Sequence, residues 1–150
     1  LDSALAFADL VRIDHFRALE SYWRVPAGAR TAVEGEWTPG PGIAFFNALE
    51  QHLGAAHGAP PLVAEDLGTI TADVRALRRA AGLPGMRVLQ FALGGPDNPY
   101  WPHNYEPDTV AYTGTHDNDT TAGWWDGLGD RERKALADYV GHTLTEPHWD

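Results

Sequence analysis

Three acidic residues stand where strand-forming runs give out. Leu10, Val11 and Ile13 lead into Asp14, Leu62-Val63-Ala64 lead into Glu65, and the run from Asp108 through Thr115 leads into His116-Asp117. A carboxylate just past such a run stands at the carboxyl end of a buried strand, the end at which α/β folds bind ligands. Arg12 lies two residues before Asp14 and shares its strand face. An arginine there favours the ionised carboxylate, which in a cleft is a nucleophile or an electrostatic stabiliser. Alone, Arg12-Ile13-Asp14 reads as a structural ion pair. Three strands that each deliver a carboxylate at the same end point instead to one convergent site.

Two carboxylates in unlike environments are the minimal set for cleaving a glycosidic bond: one attacks the anomeric carbon and the other protonates the leaving oxygen. Glu65 follows an apolar run and stands beside Asp66, so desolvation and like charge both favour the protonated form an acid needs. Asp14 is then the nucleophile. Asp117, with His116 beside it, is suited to orienting sugar hydroxyls as the ring flattens toward an oxocarbenium-like transition state. Asp66-Leu67-Gly68 reads as the turn into the next helix. A metal site built from Asp14, His15, His116 and Asp117 is the weaker reading, because these residues sit on separate strands without metal-ligand spacing.

The elements that must position these groups follow from periodicity. Ala18 to Pro41 carries Tyr22, Trp23 and Trp37 among Pro26, Gly28, Gly35, Pro39 and Gly40. It reads as a long functional loop whose aromatic faces can stack on sugar rings, with Tyr22 and Trp23 merely capping the core as the alternative. Ile43, Phe46, Leu49 and Leu53 predict a helix over 42–58, stopped by Gly58 and Pro60-Pro61. A second helix is capped by Thr69 or Thr71, holds Asp73 in its first turn, ends at Gly82 and Pro84, and presents Arg75, Arg78 and Arg79 as a solvated face. Met86 to Leu93 is expected as a strand. Gly94 to Pro107 is a second aromatic-rich loop, with Asn98, Tyr100, Trp101, His103 and Tyr105. A last helix runs from about Asp130 to Leu144, with Leu136, Tyr139, Val140 and Leu144 on one face.

Strand, helix, strand, helix, strand, strand, helix is the grammar of a parallel sheet, and it amounts to about half of a (β/α)8 barrel, for which roughly 250 residues is typical. Residues 1–150 are therefore expected to be one partial catalytic barrel domain, an internal piece of a longer enzyme with two unpaired sheet edges. The start at Leu1, without Met or a signal-like segment, reads as a cut. A composition of 43% hydrophobic and 21% charged residues is ordinary for a globular chain. The net charge of -10 argues against nucleic-acid or anionic-membrane partners. Absence of cysteine excludes disulfides and thiolate metal sites and fits a reducing compartment, the cytoplasm. No apolar run reaches the roughly 18 residues of a membrane span. Asn118-Asp119-Thr120 matches a glycosylation pattern and is read as coincidence.

Four motifs now stand in order: Arg12-Ile13-Asp14-His15-Phe16-Arg17, Ala64-Glu65-Asp66-Leu67-Gly68, Asn98-Pro99-Tyr100-Trp101-Pro102-His103-Asn104-Tyr105 and Thr113-Gly114-Thr115-His116-Asp117-Asn118-Asp119-Thr120. Together they resemble the 4-α-glucanotransferases of the amylomaltase family, α-retaining enzymes on a (β/α)8 barrel related to the α-amylases. The resemblance covers nearly the whole chain and implies its second half of that barrel. It implies Asp14 as nucleophile supported by Arg12, Glu65 as acid/base, and Asp117 with His116 as transition-state binders. It further implies α-1,4-glucans and malto-oligosaccharides as substrates; the aromatic loops offer Tyr22, Trp23, Asn98 and Tyr100 as the candidate substrate-binding residues, and no metal or cofactor is expected. Ala18 and Trp101 depart from the family's frequent glycine and leucine.

Two other readings compete. A hydrolase or branching enzyme of the wider α-amylase clan would share the Asp, Glu, Asp order, but the Thr-His-Asp-Asn run favours the transferase. A non-catalytic glucan-binding barrel segment would keep the aromatics without needing all three carboxylates.

Overall fold

A computed structural model describes residues 1–54 and 60–144. They divide into two compact units, Leu1–Met86 and Arg87–Asp150.

The first unit opens with a single helical turn, α1 (Asp2–Leu5). The Asp2 carboxylate meets Nε2 of His52 at 2.9 and 3.0 Å, and this hydrogen bond, with the charge of the imidazole, holds Asp2 below the usual carboxylate range. Strand β1 (Val11–Ile13) pairs in parallel with β4 (Leu62–Ala64), in the register Val11 with Leu62, Arg12 with Val63, and Ile13 with Ala64. All three residues of β4 are buried, as expected of a short apolar run in a parallel sheet.

Between these strands the segment 18–41 is not a structureless loop. A 3-10 turn over Phe16–Leu19 leads into an antiparallel hairpin of β2 (Ser21–Arg24) and β3 (Glu36–Pro39). Trp23 faces Trp37 across it, and Arg24 pairs with Glu36. The hairpin's base is closed by Gly40 N–H donating to Glu20 C=O at 2.7 Å and Gly42 N–H to Leu19 C=O at 2.8 Å. A Cβ on Gly40 would be driven into the carbonyls of Ala18 and Leu19, so only glycine permits this approach.

Helix α2 (Ile43–Leu53) ends at Gly54, whose φ of 78° and N–H bond to Glu50 close the last turn. The expected stop at Gly58 lies outside the described residues, and the described helix is already closed four residues earlier. Phe46 and Leu49 are buried while Ile43 stays exposed, so the apolar face is narrower than the spacing implied. Helix α3 (Ala72–Ala80) is capped by Thr71, whose hydroxyl accepts from Val74 N–H. Phe16, Phe46, Leu49, Leu62, Ala64, Val74, Ala81 and Leu83 form one core. Fully burying Phe16, whose ring lies 5.9 Å from that of Phe46, contributes roughly 1.5–3 kcal/mol.

Arg78 corrects the sequence reading of a solvated arginine face. Its side chain is 3% exposed, donates to Leu83 C=O at 2.8 Å, and lies 3.3 Å from the Asp66 carboxylate.

Strand β5 (Gly85–Val88) carries the chain into the second unit, where its end pairs with β6 (Thr109–Tyr112). The expected strand to Leu93 is cut short, because Leu89–Phe91 coils into a 3-10 turn. Helix α4 (Thr121–Gly127), absent from the sequence reading, is capped by the Thr120 hydroxyl. Helix α5 (Asp130–Val140) ends before Leu144, at Gly141 with φ of 81°. Arg133 reaches back from it to the carbonyls of Trp125, Asp126 and Leu128, satisfying the end of α4, and lies over the Trp125 ring. Ala92, Trp101, Trp125, Leu128 and Leu136 form this unit's core. Leu144 packs against it, whereas Val140 is exposed. The described strands form three two-stranded sheets and no closed barrel.

Candidate active site

Residues Asp14 and Glu65 follow the last register pair of β1 and β4, so both stand at the carboxyl ends of neighbouring, hydrogen-bonded strands. Glu65 N–H donates to Ile13 C=O at 2.9 Å and Phe16 N–H donates to Glu65 C=O at 3.1 Å, which ties the two chain segments together beyond the ladder. Asp14 is 62% exposed at the side chain and accepts from Arg12 Nη2 at 2.8 Å, on the strand face the two share. This places a carboxylate in reach of solvent and ligand with a fixed positive partner behind it.

Glu65 is held by main chain rather than by side chains. Its Oε2 accepts from His15 N–H and its Oε1 from Leu67 N–H, both at 2.7 Å. His15 reaches it because its backbone is left-handed, with φ 49° and ψ 50°, a conformation that costs a non-glycine residue energy and that no other described non-glycine residue adopts. Sequence reasoning missed this contact. Its only signal is that histidine, like asparagine and aspartate, enters the left-handed region more readily than most residues.

Asp66 turns the other way, into the interior, as expected for the next residue along an extended chain. Its Oδ1 accepts from Met86 N–H at 2.8 Å and its Oδ2 faces Arg78 Nε. The reading of Asp66 as structural agrees with this burial. A negative charge that is paired inside the fold is not aimed at Glu65.

Tyr22 and Trp23, neighbours on β2, project to opposite faces of the hairpin, and both are exposed. The Trp23 and Trp37 rings meet edge to face at 5.4 Å, Arg17 lies 4.3 Å from the Trp37 ring centre, and Trp23 Nε1 donates to Ala32 C=O. Trp37 is 56% exposed, which makes it the most open tryptophan of this aromatic surface.

In the second unit, Asn98 donates to the carbonyls of Phe91 and Leu93 and accepts from Tyr100 N–H. Its amide thus shapes the loop that carries Tyr100, a half-buried ring set edge to face on Phe91. Trp101 is 4% exposed and stacks on Tyr139 at 4.4 Å, so it belongs to the core. His116 and Asp117 are both exposed and lie 3.4 Å apart. The turn that presents them is held by Asn118 Oδ1, which accepts from Thr115 N–H and hydroxyl at 2.9 Å. Gln90 braces the segment behind them through Asp119 C=O. The first unit therefore groups Arg12, Asp14 and Glu65, and the second groups His116 with Asp117. Among the described residues, no three of His, Asp and Glu are placed to hold a metal ion. No described helix is long and apolar enough to cross a membrane.

Comparison with known proteins supplies the family. A model of the family described as 4-alpha-glucanotransferase matches residues 1–150. The 4-alpha-glucanotransferase of Thermus thermophilus is 50% identical over 143 residues, covering 93% of this chain and 28% of that protein. The 4-alpha-glucanotransferase of Synechocystis is 49% identical over 148 residues, covering 97% and 29%. In three dimensions the chain is similar to the amylomaltase from Streptococcus agalactiae in complex with acarbose, with a TM-score of 0.84 and 33% identity over 97% of this chain and 29% of that one. The chain thus spans between a quarter and a third of the length of these relatives.

Proposed function

The chain belongs to the 4-α-glucanotransferase family, and from that premise we propose that its residues carry the chemistry of a retaining transferase acting on α-1,4-glucans and malto-oligosaccharides. Residues 1–150 are the second half of a (β/α)8 catalytic barrel domain within the full-length enzyme. Its setting is the cytoplasm, which suits a chain without cysteine.

The Asp14 carboxylate attacks the anomeric carbon of the donor glucan while Glu65 gives its proton to the departing glycosidic oxygen. The carbon–oxygen bond to the leaving chain breaks as the bond to Asp14 forms, leaving a β-glucosyl ester. Glu65, now ionised, takes the proton from the 4-hydroxyl of the acceptor sugar as that oxygen displaces Asp14, restoring the α linkage and both side chains. Arg12 fixes the Asp14 carboxylate, and Asp117 with His116 binds sugar hydroxyls as the ring flattens. Tyr22, Trp23 and Tyr100 offer stacking surfaces, and Asn98 shapes the loop of Tyr100. No step calls for a metal or cofactor.

One observation carries this reading: Asp14 and Glu65 follow one register pair at the carboxyl ends of two hydrogen-bonded parallel strands. The test is mass spectrometry of the full-length Glu65→Gln enzyme after reaction with α-glucosyl fluoride, a donor whose leaving group needs no proton. Trapped sugar is expected on the peptide containing Asp14; a label elsewhere overturns the assignment.

A further inference from the structure

The buried partner of Asp66 has no part in the chemistry above, yet Asp66 is bonded directly to the residue that does. Its side chain is 5% exposed and that of Arg78 is 3% exposed. A buried ion pair of this kind is weak support for stability, since apolar residues of the same volume often serve as well. Its value lies in geometry. Asp66 takes Met86 N–H on Oδ1 at 2.8 Å and Arg78 on Oδ2 at 3.3 Å, while Arg78 is itself fixed to Leu83 C=O. The carboxylate is therefore anchored to α3 and to β5 at once. Gly85 completes the fit: a Cβ at that position would lie 2.5 Å from Asp66 Oδ2.

Adjacent side chains on an extended backbone point to opposite faces, so fixing Asp66 inward fixes the direction in which Glu65 leaves the chain. The two N–H groups that receive Glu65, from His15 and Leu67, then meet it at the right distance. We propose that Asp66, clamped by Arg78 and the Gly85–Met86 backbone, is a positioning residue that aims the Glu65 carboxyl for proton transfer, an inference that rests on Glu65 being the acid/base. A displacement of about 1 Å at a reacting group can cost on the order of 100-fold in rate. The effect should fall on steps that need the proton and spare those that do not.

The experiment compares two donors in the full-length enzyme: maltotriose, whose leaving group needs a proton, and α-glucosyl fluoride, whose leaving group does not. Glu65→Gln is the reference and is expected to abolish turnover of maltotriose while retaining the initial burst of fluoride. Asp66→Asn keeps the size and one acceptor but removes the charge; it is expected to lower kcat for maltotriose by about 10-fold or more, with KM within about 3-fold and the fluoride burst within about 3-fold. Gly85→Ala leaves the ion pair's residues intact and presses on Asp66; it should show the same donor-selective loss, and it provides the test should Asp66→Asn fail to fold. Arg78→Lys should restore most of the rate lost in Arg78→Met. If the variants lose both donors equally, or lose neither while Glu65→Gln behaves as stated, Asp66 is structural only and the inference fails alone. If Glu65→Gln itself is not donor-selective, the acid/base assignment fails and takes this inference with it.

Discussion

The main-chain N–H of His15 donates to Oε2 of Glu65 at 2.7 Å, joining two strand ends that lie fifty residues apart in sequence. The bond exists because His15 accepts a left-handed backbone immediately after Asp14. One residue thus turns the chain away from the first carboxylate and orients the second.

Substitution at His15 should follow backbone preference. His15→Gly removes the conformational cost, whereas a β-branched His15→Val is forced into a region it avoids, at roughly 1–2 kcal/mol. Thermal unfolding of the full-length variants checks this. Equal melting temperatures for the two would show that the turn is unstrained.

The proposed retaining mechanism makes a geometric demand on Asp14 and Glu65. Their carboxyl groups should lie about 5–5.5 Å apart in the full-length enzyme, and the first product observed by NMR should be the α-anomer. A spacing of roughly 6.5 Å or more, with a β-anomeric product, would signal inversion and defeat the transferase mechanism.

The hairpin tryptophans have separable duties. Trp37→Ala removes an edge-to-face partner of Trp23 and the surface beneath Arg17, and is expected to cost about 1–2 kcal/mol, read from denaturant midpoints. Trp23→Ala should raise KM for long acceptor glucans more than it lowers kcat. An unchanged KM for those acceptors would remove Trp23 from the binding surface.

Helix α3 offers a purely structural control. Thr71→Ala removes the hydroxyl that receives Val74 N–H and is expected to cost about 1 kcal/mol in stability with little change in kcat.

The contact between Asp2 and His52 carries a pH dependence of known sign. Asp2 titrates lower in the folded chain than in the unfolded one, so the stability it lends is present above the ordinary carboxylate range and is lost as pH falls through and below that range. The protection factors of the amides in α1, that is, exchange rates divided into the intrinsic rates at each pH, should therefore fall on acidification. Protection factors that stay constant or rise instead would mean the pairing does not hold α1.

The placement of Asp14 and Glu65 at neighbouring strand ends is legible in the sequence, for a physical reason. Asp14 and Glu65 end short runs of β-branched and aliphatic residues, and such runs are buried in parallel sheets whatever surrounds them. The hairpin of β2 and β3 was not legible. Its strands alternate Tyr22 with Trp23 and Arg24, so neither face is plainly polar, and prolines and glycines at its ends read as a loop. Arg78 was misread because its partner Asp66 lies outside its own helix, and periodicity cannot see a charge neutralised from elsewhere in the chain. β5 appeared too long because Leu89 and Phe91 are apolar enough to continue a strand, while the 3-10 turn that stops it buries the polar Gln90, whose amide donates to Asp119 C=O. Helix α4 is only seven residues long with glycines at Gly123 and Gly127, too short and too weak in propensity to announce itself.

The closure of the hairpin at Gly40 and Gly42 separates two rates of change within one stretch of chain. Below those two hydrogen bonds, Phe16 is locked in the core and every atom is constrained by the sheet that presents Asp14 and Glu65. Above them the segment from Val25 to Gly35 holds no buried residue and no aromatic one, so its length and composition can drift or be redesigned without moving the carboxylates. The hairpin can thus change at its tip while the strand ends that present Asp14 and Glu65 stay as they are.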